Sequence, residues 1–392
     1  MRIAFLLFGV LLCGFSLAAP DEELLGRSEG YPACKPGPGF AEQRCLVWTY
    51  SHFDEIIPSR KVAKPAVARE LKRAAKEPAG FDYEGYLKAN RATGLLLLQG
   101  DTILLERYQY ERKPEHRFTS MSMAKTVVAM LVGIAIEEGK IKSVDDLAAQ
   151  YVPELKGAPY GGTRLRHLLT MSSGVKFTER YDGNDDVSVL GRKTFGQQGP
   201  GGADTVATFT ERARPEGDRF SYASAETQVL GLVLRAAVGR NLSEYLSEKI
   251  WQPMGAEGDA AWNIDRGGYE TGFAGLNATL RDWGRLGLLL ANDGALDGRQ
   301  IIPAAWVRAA TTPESSHLSR VNPWFGYGYQ TWLIVGGGRS FALRGVRGQT
   351  VFVDPDLKLV LVNTNVHATP VDIPGIGNQL SLWNAVRRTY AH

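Results

Sequence analysis

The amino-acid sequence predicts an α+β fold in which an antiparallel sheet is built from both ends of the chain. Helices flank this sheet, and a mainly helical lobe is inserted between its two halves. Strand-like runs rich in Leu and Val lie at residues 94–108 and 349–363, and apolar runs with helical spacing fill the interval between them. We expect a functional cleft where the sheet and the lobe meet.

Each end of the chain carries a hairpin signal. Gly94–Gln99 and Thr102–Tyr108 are joined by a two-residue Gly-Asp turn, which is typical of antiparallel hairpins. Near the C-terminus, Gln349–Val353 and Lys358–Asn363 flank an Asp-Pro-Asp turn, and a final helical run includes Leu380–Tyr390. These two hairpins are the expected components of the sheet.

Apolar residues at helical spacing predict the lobe between the hairpins. The predicted helices are Lys125–Glu138, Thr163–Met171, Ala225–Val238, Leu242–Trp251 and Thr279–Asn292. The glycine-rich stretch Gly191–Gly202 is predicted to be a loop, and it lacks the Gly-Lys-Ser/Thr ending of a phosphate-binding loop. The sequence contains no internal repeat.

The first eighteen residues have the pattern of a secretory signal peptide. Arg2 supplies the positive charge, Ile3–Leu17 is apolar, and Ser16–Ala18 is a small-x-small cleavage site. The apolar run is short for a bilayer. We therefore expect cleavage near Ala18, no stable membrane insertion afterwards, and a periplasmic or secreted protein. An uncleaved anchor is the alternative.

Composition divides the rest of the chain into two parts. Residues 19–85 are predicted to be an N-terminal extension, and residues 86–392 the globular body. The extension contains the basic run Arg60–Lys76, for which we expect a solvated amphipathic helix. It also contains Cys34 and Cys45, an even pair in a chain predicted to be exported. That context favours one disulfide over two free thiols.

The charge balance and the scattered histidines exclude several classes of function. Lys and Arg total 45 against 42 Asp and Glu, a formal net charge of +3, which gives no indication of nucleic-acid binding. The six histidines do not cluster with cysteines at metal-binding spacing. We therefore expect neither a metal nor another cofactor.

The most informative motif is Ser122-Met-Ala-Lys125 at the start of a strongly apolar helical run. Residues three apart on a helix lie on the same face, so the hydroxyl and the amine are held side by side. A buried amine with a lowered pKa can remove the proton of the hydroxyl and make it a nucleophile. The helix N-terminus also offers N–H groups to an oxyanion. The pattern indicates acyl transfer.

Two further segments supply candidate partners. Tyr222, in Tyr222-Ala-Ser224 just before a predicted helix, can relay a proton between a lysine and a leaving group. Gly345–Gln349 lies between two predicted strands and has the glycines that a close backbone approach requires. Simple packing of the tyrosine and a plain hairpin connection are the alternatives.

Ser-x-x-Lys, then Tyr-x-Ser, then a glycine-bearing strand near the C-terminus resembles the serine β-lactamase and penicillin-binding protein superfamily. The likeness begins near Gly94 and is strongest to the class C β-lactamase-like branch. The stretches similar to that branch are Lys140–Leu147, Tyr151–Leu155, Arg166–Gly174, Gly275–Asp282, Leu286–Gly294, Ala304–Trp306 and Tyr327–Trp332. Three others resemble the 6-aminohexanoate-dimer hydrolase group, namely Met171–Val175, Trp251–Gly255 and Gly345–Gln349. The resemblance implies a β-lactamase/transpeptidase-like fold and a serine hydrolase domain at residues 86–392.

The resemblance also implies roles for individual residues. The nucleophile would be Ser122, its base Lys125 and the acid/base partner Tyr222. The oxyanion hole would be formed by the backbone N–H groups of Ser122 and Gln349. The residues implied in substrate binding are Ser224, Arg347 and Gly348, whereas His167 would be structural.

The sequence departs from the superfamily pattern in its third motif. β-Lactamases and DD-peptidases carry Lys-Thr-Gly there, and the lysine helps to bind the substrate carboxylate. This chain has Val346-Arg347-Gly348 instead, and either Arg347 or Arg344 is available to bind a carboxylate. The second motif ends in Ser224 where the family often has asparagine.

These observations favour an exported serine hydrolase that cleaves a small ester or amide through an acyl-enzyme on Ser122. A DD-peptidase or β-lactamase acting on peptidoglycan or β-lactams is one alternative. A catalytically silent binding protein on the same fold is another, since a fold does not fix a function.

Overall fold

The computed structural model describes residues 20–34, 42–336 and 338–391. The predicted signal peptide lies outside the described residues. Within these ranges no helix combines the length and the hydropathy needed to cross a membrane.

The strands and helices of the described chain are numbered here in chain order. The strands are β1 Ser59–Val62, β2 Lys72–Arg73, β3 Ala92–Gln99, β4 Thr102–Tyr108, β5 Phe118–Thr119, β6 Ala260–Asn263, β7 Leu276–Ala278, β8 Ala295–Leu296, β9 Arg299–Gln300, β10 Phe325–Tyr327, β11 Trp332–Ile334, β12 Phe341–Gly345, β13 Gln349–Asp354 and β14 Leu359–Asn365. The helices are α1 Pro20–Leu24, α2 Leu46–Thr49, α3 Phe53–Ile56, α4 Tyr83–Ala89, α5 Ala124–Glu137, α6 Leu165–Leu169, α7 Asp186–Thr194, α8 Asp204–Ala207, α9 Ser224–Val238, α10 Leu242–Leu246, α11 Leu280–Ala291, α12 Ala304–Ala310 and α13 Ile373–Tyr390.

The main sheet joins the two ends of the chain, and the predicted α+β fold is confirmed. Its eight strands run in the order β10-β11-β12-β13-β14-β3-β4-β2. The N-terminal strand β3 pairs antiparallel with the C-terminal strand β14, and every other pairing in this sheet except β2 with β4 is also antiparallel. A smaller antiparallel sheet has the order β1-β6-β7-β5.

Both faces of the main sheet are covered, which explains the unbroken Leu95–Leu98 run. Side chains alternate between the faces of a strand. Leu96 and Leu98 therefore join the core that contains α11, whereas Leu95 and Leu97 pack with residues of α4 and α13. Helix α11 approaches closely because it has glycine where it meets the sheet: a Cβ on Gly287 would collide with Val360.

The helical lobe is built around α5, whose residues Ala124–Ala135 are all buried. A helix that is apolar on every side belongs in a core, and α5 packs against α9 in the largest hydrophobic cluster. The lobe therefore fixes the helix that follows Ser122 in a rigid position.

The predicted helix at Arg60–Lys76 is wrong. That segment instead contains the short strands β1 and β2. Strand β1 pairs with β6, about 200 residues away, and Arg60 forms an ion pair of 2.7 Å with the buried Glu270. These long-range contacts outweigh the local helical pattern, because tertiary packing routinely overrides propensity.

The N-terminal residues pack behind the turn that contains Ser122. Cys34 and Cys45 form the predicted disulfide, with their Cα atoms 5.7 Å apart. Beyond it, Tyr50 belongs to a small apolar cluster against which Met121 packs. Helix α4 spans the predicted boundary at residue 85, and the proposed division of the chain into extension and body stays a prediction.

Candidate active site

Ser122 lies on a tight turn that leads directly into α5. The turn, Met121–Met123, is a single 3₁₀ helix that continues into α5. It is anchored by Ser120, whose backbone N–H donates to Leu276 O and whose Oγ accepts from Leu276 N. Met121 has φ of 40°, a region that non-glycine residues seldom adopt. The turn leaves Ser122 partly exposed at the floor of a cleft.

Lys125 lies one helical turn further and is 1% exposed. Its Nζ donates to Ser122 Oγ at 2.8 Å, to Ser224 Oγ at 3.0 Å and to the Phe273 carbonyl at 3.0 Å. Burial lowers the pKa of Lys125 to about 8, although the nearby Glu179 carboxylate opposes this shift. The amine is therefore close to the nucleophile candidate and partly deprotonated near neutral pH.

Tyr222 completes a triangle with Ser122 and Lys125. The ring centroid of Tyr222 is 5.1 Å from Lys125 Nζ, and its hydroxyl interacts with Ser122. Burial and the Glu179 carboxylate raise the pKa of Tyr222 well above its usual range, so the phenol stays protonated. The ring stacks on Trp332 with centroids 5.5 Å apart, which fixes its orientation.

The third side of the site is the end of β12. An ideal Cβ on Gly345 would lie 2.5 Å from Ser120 O and 3.0 Å from Ser122 N, so only glycine permits this approach. Gly345 and Val346 line the cleft beside Ser122. Gln349, in contrast, begins β13 and is fully buried, and its side chain donates to Asn365 O. Val346 N–H, next to Gly345 in the cleft wall, is a second candidate for this oxyanion donor, and the Gln349 N–H stays a prediction.

Arg344 and Arg347, the two arginines around the end of β12, have different surroundings. Arg347 has φ of 57°, which turns its side chain away from the cleft, and its Nη1 donates to the carbonyls of His367 and Ala368 at 2.6 Å each. The prediction that Arg347 binds substrate is therefore not supported by its position. Gly348 lines the cleft with φ of 88°, and its role in substrate binding stays a prediction.

Arg344, the other arginine predicted as a carboxylate ligand, lines the cleft. Its guanidinium lies 4.2 Å from the ring centroid of Phe325 and 5.5 Å from that of Trp332. Burial lowers the pKa of Arg344 to about 10, an effect that Tyr222 opposes. Among the described residues no carboxylate forms an ion pair with it. An unpaired cation in a cleft is a natural site for an anionic group of a ligand.

Sequence reasoning missed Glu179. Its carboxylate accepts hydrogen bonds from Ser224 N at 2.8 Å, from Ser224 Oγ at 2.9 Å and from Tyr181 OH at 2.6 Å. The segment around it has no periodicity or motif, and its partner Ser224 is 45 residues away. Only the folded chain brings Glu179 to the site. Ser224 itself accepts from Lys125 and is buried, and its predicted role in substrate binding stays a prediction.

The cleft has a volume of about 350 Å³ and combines the polar centre with an apolar wall. The wall contains Trp324, Phe325, Trp332 and, at its rim, Val371 and Ile373. Val371 is 54% exposed and Ile373 is 51% exposed, which is unusual for such large apolar side chains. The rim thus offers apolar surface to a ligand.

One histidine, His367, lines the cleft, and its Nε2 lies 3.2 Å from Asn365 Nδ2. His167, which the resemblance implies to be structural, lies in α6 with Nδ1 3.4 Å from Ser172 Oγ. In the described ranges no three His, Cys, Asp or Glu residues are grouped so that they could hold a metal ion. The two described side chains that hydrogen-bond to Ser122, Lys125 and Tyr222, can each hold or transfer a proton.

Comparison of the chain with known proteins identifies its family. Residues 87–369 match the protein family described as beta-lactamase. The chain is 27% identical over 339 residues to the 6-aminohexanoate-dimer hydrolase of Paenarthrobacter ureafaciens, an alignment that covers 82% of this chain and 86% of that protein.

Solved structures agree on the fold. A Bacillus anthracis protein with a provisional assignment as a 6-aminohexanoate-dimer hydrolase superposes with a TM-score of 0.80 at 23% identity, covering 90% of this chain and 98% of that one. A penicillin-binding protein from Bacillus halodurans gives a TM-score of 0.61 at 18% identity, covering 77% and 99%. The predictions of the superfamily, of the fold and of a serine hydrolase are confirmed.

Proposed function

Because the chain belongs to the beta-lactamase family, we propose that it is an exported serine hydrolase that cleaves small amides or esters through an acyl-enzyme on Ser122. The observation that carries this proposal is the 2.8 Å contact between Ser122 Oγ and the buried Nζ of Lys125. The signal-like N-terminus and the disulfide are consistent with export.

Acylation follows from this contact. Neutral Lys125 takes the proton of Ser122 as Oγ attacks the substrate carbonyl carbon, and the carbonyl electron pair moves onto oxygen. The N–H groups of Ser122 and Val346 stabilise that oxyanion. When the bond to the leaving nitrogen or oxygen breaks, the leaving atom takes a proton from Tyr222 OH, and Tyr222 regains a proton from the Lys125 ammonium. The products are the acyl-enzyme and a free amine or alcohol.

Deacylation reverses these roles with water. Tyr222 and Lys125 together remove a proton from a water molecule as its oxygen attacks the ester carbonyl of the acyl-enzyme. The tetrahedral intermediate collapses by breaking the bond to Ser122 Oγ, which recovers its proton from Lys125. The carboxylic acid product leaves and the resting site is restored without any cofactor.

The cleft favours substrates that combine an aliphatic chain with a carboxylate. Arg344 lies close enough to Tyr222 for each to shift the pKa of the other, so a bound anion would sit on the side where the leaving group departs. The apolar wall suits a chain of methylene groups. The relative from Paenarthrobacter ureafaciens is named for a substrate, the 6-aminohexanoate dimer, that has both features.

A substrate panel tests the proposal. We expect turnover of p-nitrophenyl butyrate and of the linear 6-aminohexanoate dimer, both with a higher kcat/KM than nitrocefin. Ser122→Ala should abolish all three activities, and Arg344→Gln should reduce cleavage of the dimer about 10- to 100-fold while leaving the neutral ester nearly unchanged, as for a lost charge-assisted hydrogen bond.

The alternatives predict different results. The highest kcat/KM for nitrocefin would favour the β-lactamase or DD-peptidase reading. Folded wild-type protein that turns over none of these substrates and takes no label from a fluorophosphonate would favour a silent binding protein. Full activity in Ser122→Ala would contradict the acyl-enzyme itself.

A further inference from the structure

Lys125 Nζ has three neighbours but a neutral amine has only two N–H groups. The neighbours are Ser122 Oγ, Ser224 Oγ and the Phe273 carbonyl oxygen, at 2.8, 3.0 and 3.0 Å. To act as a base, the amine must donate to the latter two and direct its lone pair at Ser122. The Phe273 carbonyl can only accept a hydrogen bond. Ser224 can either donate to the Lys125 amine or accept from it, and this difference determines where the lone pair of the amine points.

Glu179 determines whether the Ser224 hydroxyl donates to Lys125 or accepts from it. An ionised carboxylate can only accept, so the single hydroxyl proton of Ser224 is directed to Glu179 Oε1 at 2.9 Å. Ser224 Oγ then presents a lone pair to Lys125. Two further donors, Ser224 N and Tyr181 OH, hold the carboxylate in place at 2.8 and 2.6 Å.

We propose that Glu179 is a positioning residue for the hydrolase reaction: acting through Ser224, it directs the lone pair of neutral Lys125 at the Ser122 hydroxyl. The inference rests on the proposed function, because it presumes that Ser122 is the nucleophile. When Ser122 loses its proton to Lys125, the resulting ammonium already faces three acceptors, so the transfer requires no rearrangement of the site.

The alternative role for Glu179 is purely structural. Its contact with Ser224 N satisfies a free N–H at the start of α9, where no side-chain cap is present at Ala223. A cap of this kind would affect stability only. The positioning role instead makes kcat and its pH dependence sensitive to Glu179.

Glu179→Gln separates these roles because the amide has the same shape. Its oxygen can still accept from Ser224 N, while its NH₂ group would donate to Ser224 Oγ and turn the Ser224 proton towards Lys125. That proton competes with Ser122 for the amine lone pair. We expect kcat for p-nitrophenyl butyrate to fall about 10²-fold or more, with little change in KM.

The pH profile gives a second readout. The titratable groups facing Lys125 are Glu179 and Tyr222, and Arg344 lowers the pKa of Tyr222. Because the Glu179 charge raises the pKa of Lys125, its removal should move the acidic limb of kcat/KM to lower pH. A cap without influence on the base would leave that limb in place.

A double-mutant cycle decides whether the effect passes through Ser224. Ser224→Ala alone should reduce kcat, and Glu179→Gln should cost nothing further in that background. The matched control is Glu211→Gln, an exposed carboxylate paired with Lys176, which should retain wild-type kinetics.

Wild-type kcat and an unmoved acidic limb in Glu179→Gln would overturn the inference, as would an equal loss in the Ser224→Ala background. Should Glu179→Gln fail to fold, the kcat of folded Ser224→Ala decides, and a wild-type value would refute the role. Ser122→Ala, measured in the same assay, keeps the two proposals apart. If it is inactive while Glu179→Gln is normal, only the positioning role fails.

Discussion

Lowering the pH from 9 to 6 should reduce kcat/KM for a neutral ester about a hundredfold, because the catalytic form of Lys125 is the neutral amine. Its pKa is lowered from 10.5 to about 8 by burial. With that pKa, roughly nine-tenths of the amine is neutral at pH 9 and about one-hundredth at pH 6. The profile should rise about tenfold per pH unit below 8 and level off above it.

The measurement is the initial rate of p-nitrophenyl butyrate hydrolysis at subsaturating concentration, from pH 5.5 to 9.5 at constant ionic strength. Absorbance is read at the isosbestic wavelength of the product, so that ionisation of nitrophenol does not distort the profile. Tyr222→Phe provides a control, since it should lower the plateau more than it moves the limb. A profile that is flat across this range, or a limb below pH 6, would refute lysine as the base.

Three other predictions concern the same residues and the disulfide. Lys125→Ala and Tyr222→Phe should each reduce kcat strongly, and the double mutant should lose less than the product of the two factors, because groups that act as a unit are not additive; a fully multiplicative loss would argue for separate roles. Lys125→Met should abolish turnover yet raise the free energy of unfolding at pH 7 by up to about 3 kcal/mol. Below pH 8 the lysine is charged in both the folded and the unfolded chain, so the folded protein bears the full cost of burying that charge, which corresponds to the pKa shift from 10.5 to about 8. Urea denaturation that shows a large destabilisation would contradict this. Cys34 and Cys45 should be oxidised in protein recovered from the periplasm, and mass spectrometry that finds two free thiols without reduction would refute the prediction.

The core of the candidate site was predictable because its key spacing is local. Ser122 and Lys125 are three residues apart on one helix, so the sequence alone places their side chains together. Tyr222 and the glycine-bearing strand were identified through a motif order, and the fold supplies their positions. The hairpin strands were predictable for the same reason, since alternation and turn residues are local signals.

Other features depend on contacts that no local pattern encodes. Arg347 and Arg344 are alternative carboxylate-binding cations in the sequence, but the left-handed backbone of Arg347 turns its side chain away and Arg344 lines the cleft. Glu179 reaches the site only because its loop folds against the start of α9. The basic run at residues 60–76 forms two short strands because β6 is available as the partner of β1 and β4 as the partner of β2.

The central claim is that Ser122 forms a covalent acyl-enzyme. The most direct measurement is intact-protein mass spectrometry after rapid acid quenching during turnover of a p-nitrophenyl ester, followed by peptide mapping of the adduct. The account predicts a mass increase equal to one acyl group, located on the peptide that contains Ser122 and absent from Ser122→Ala. An acyl group on another residue, or continued turnover by Ser122→Ala, would contradict it.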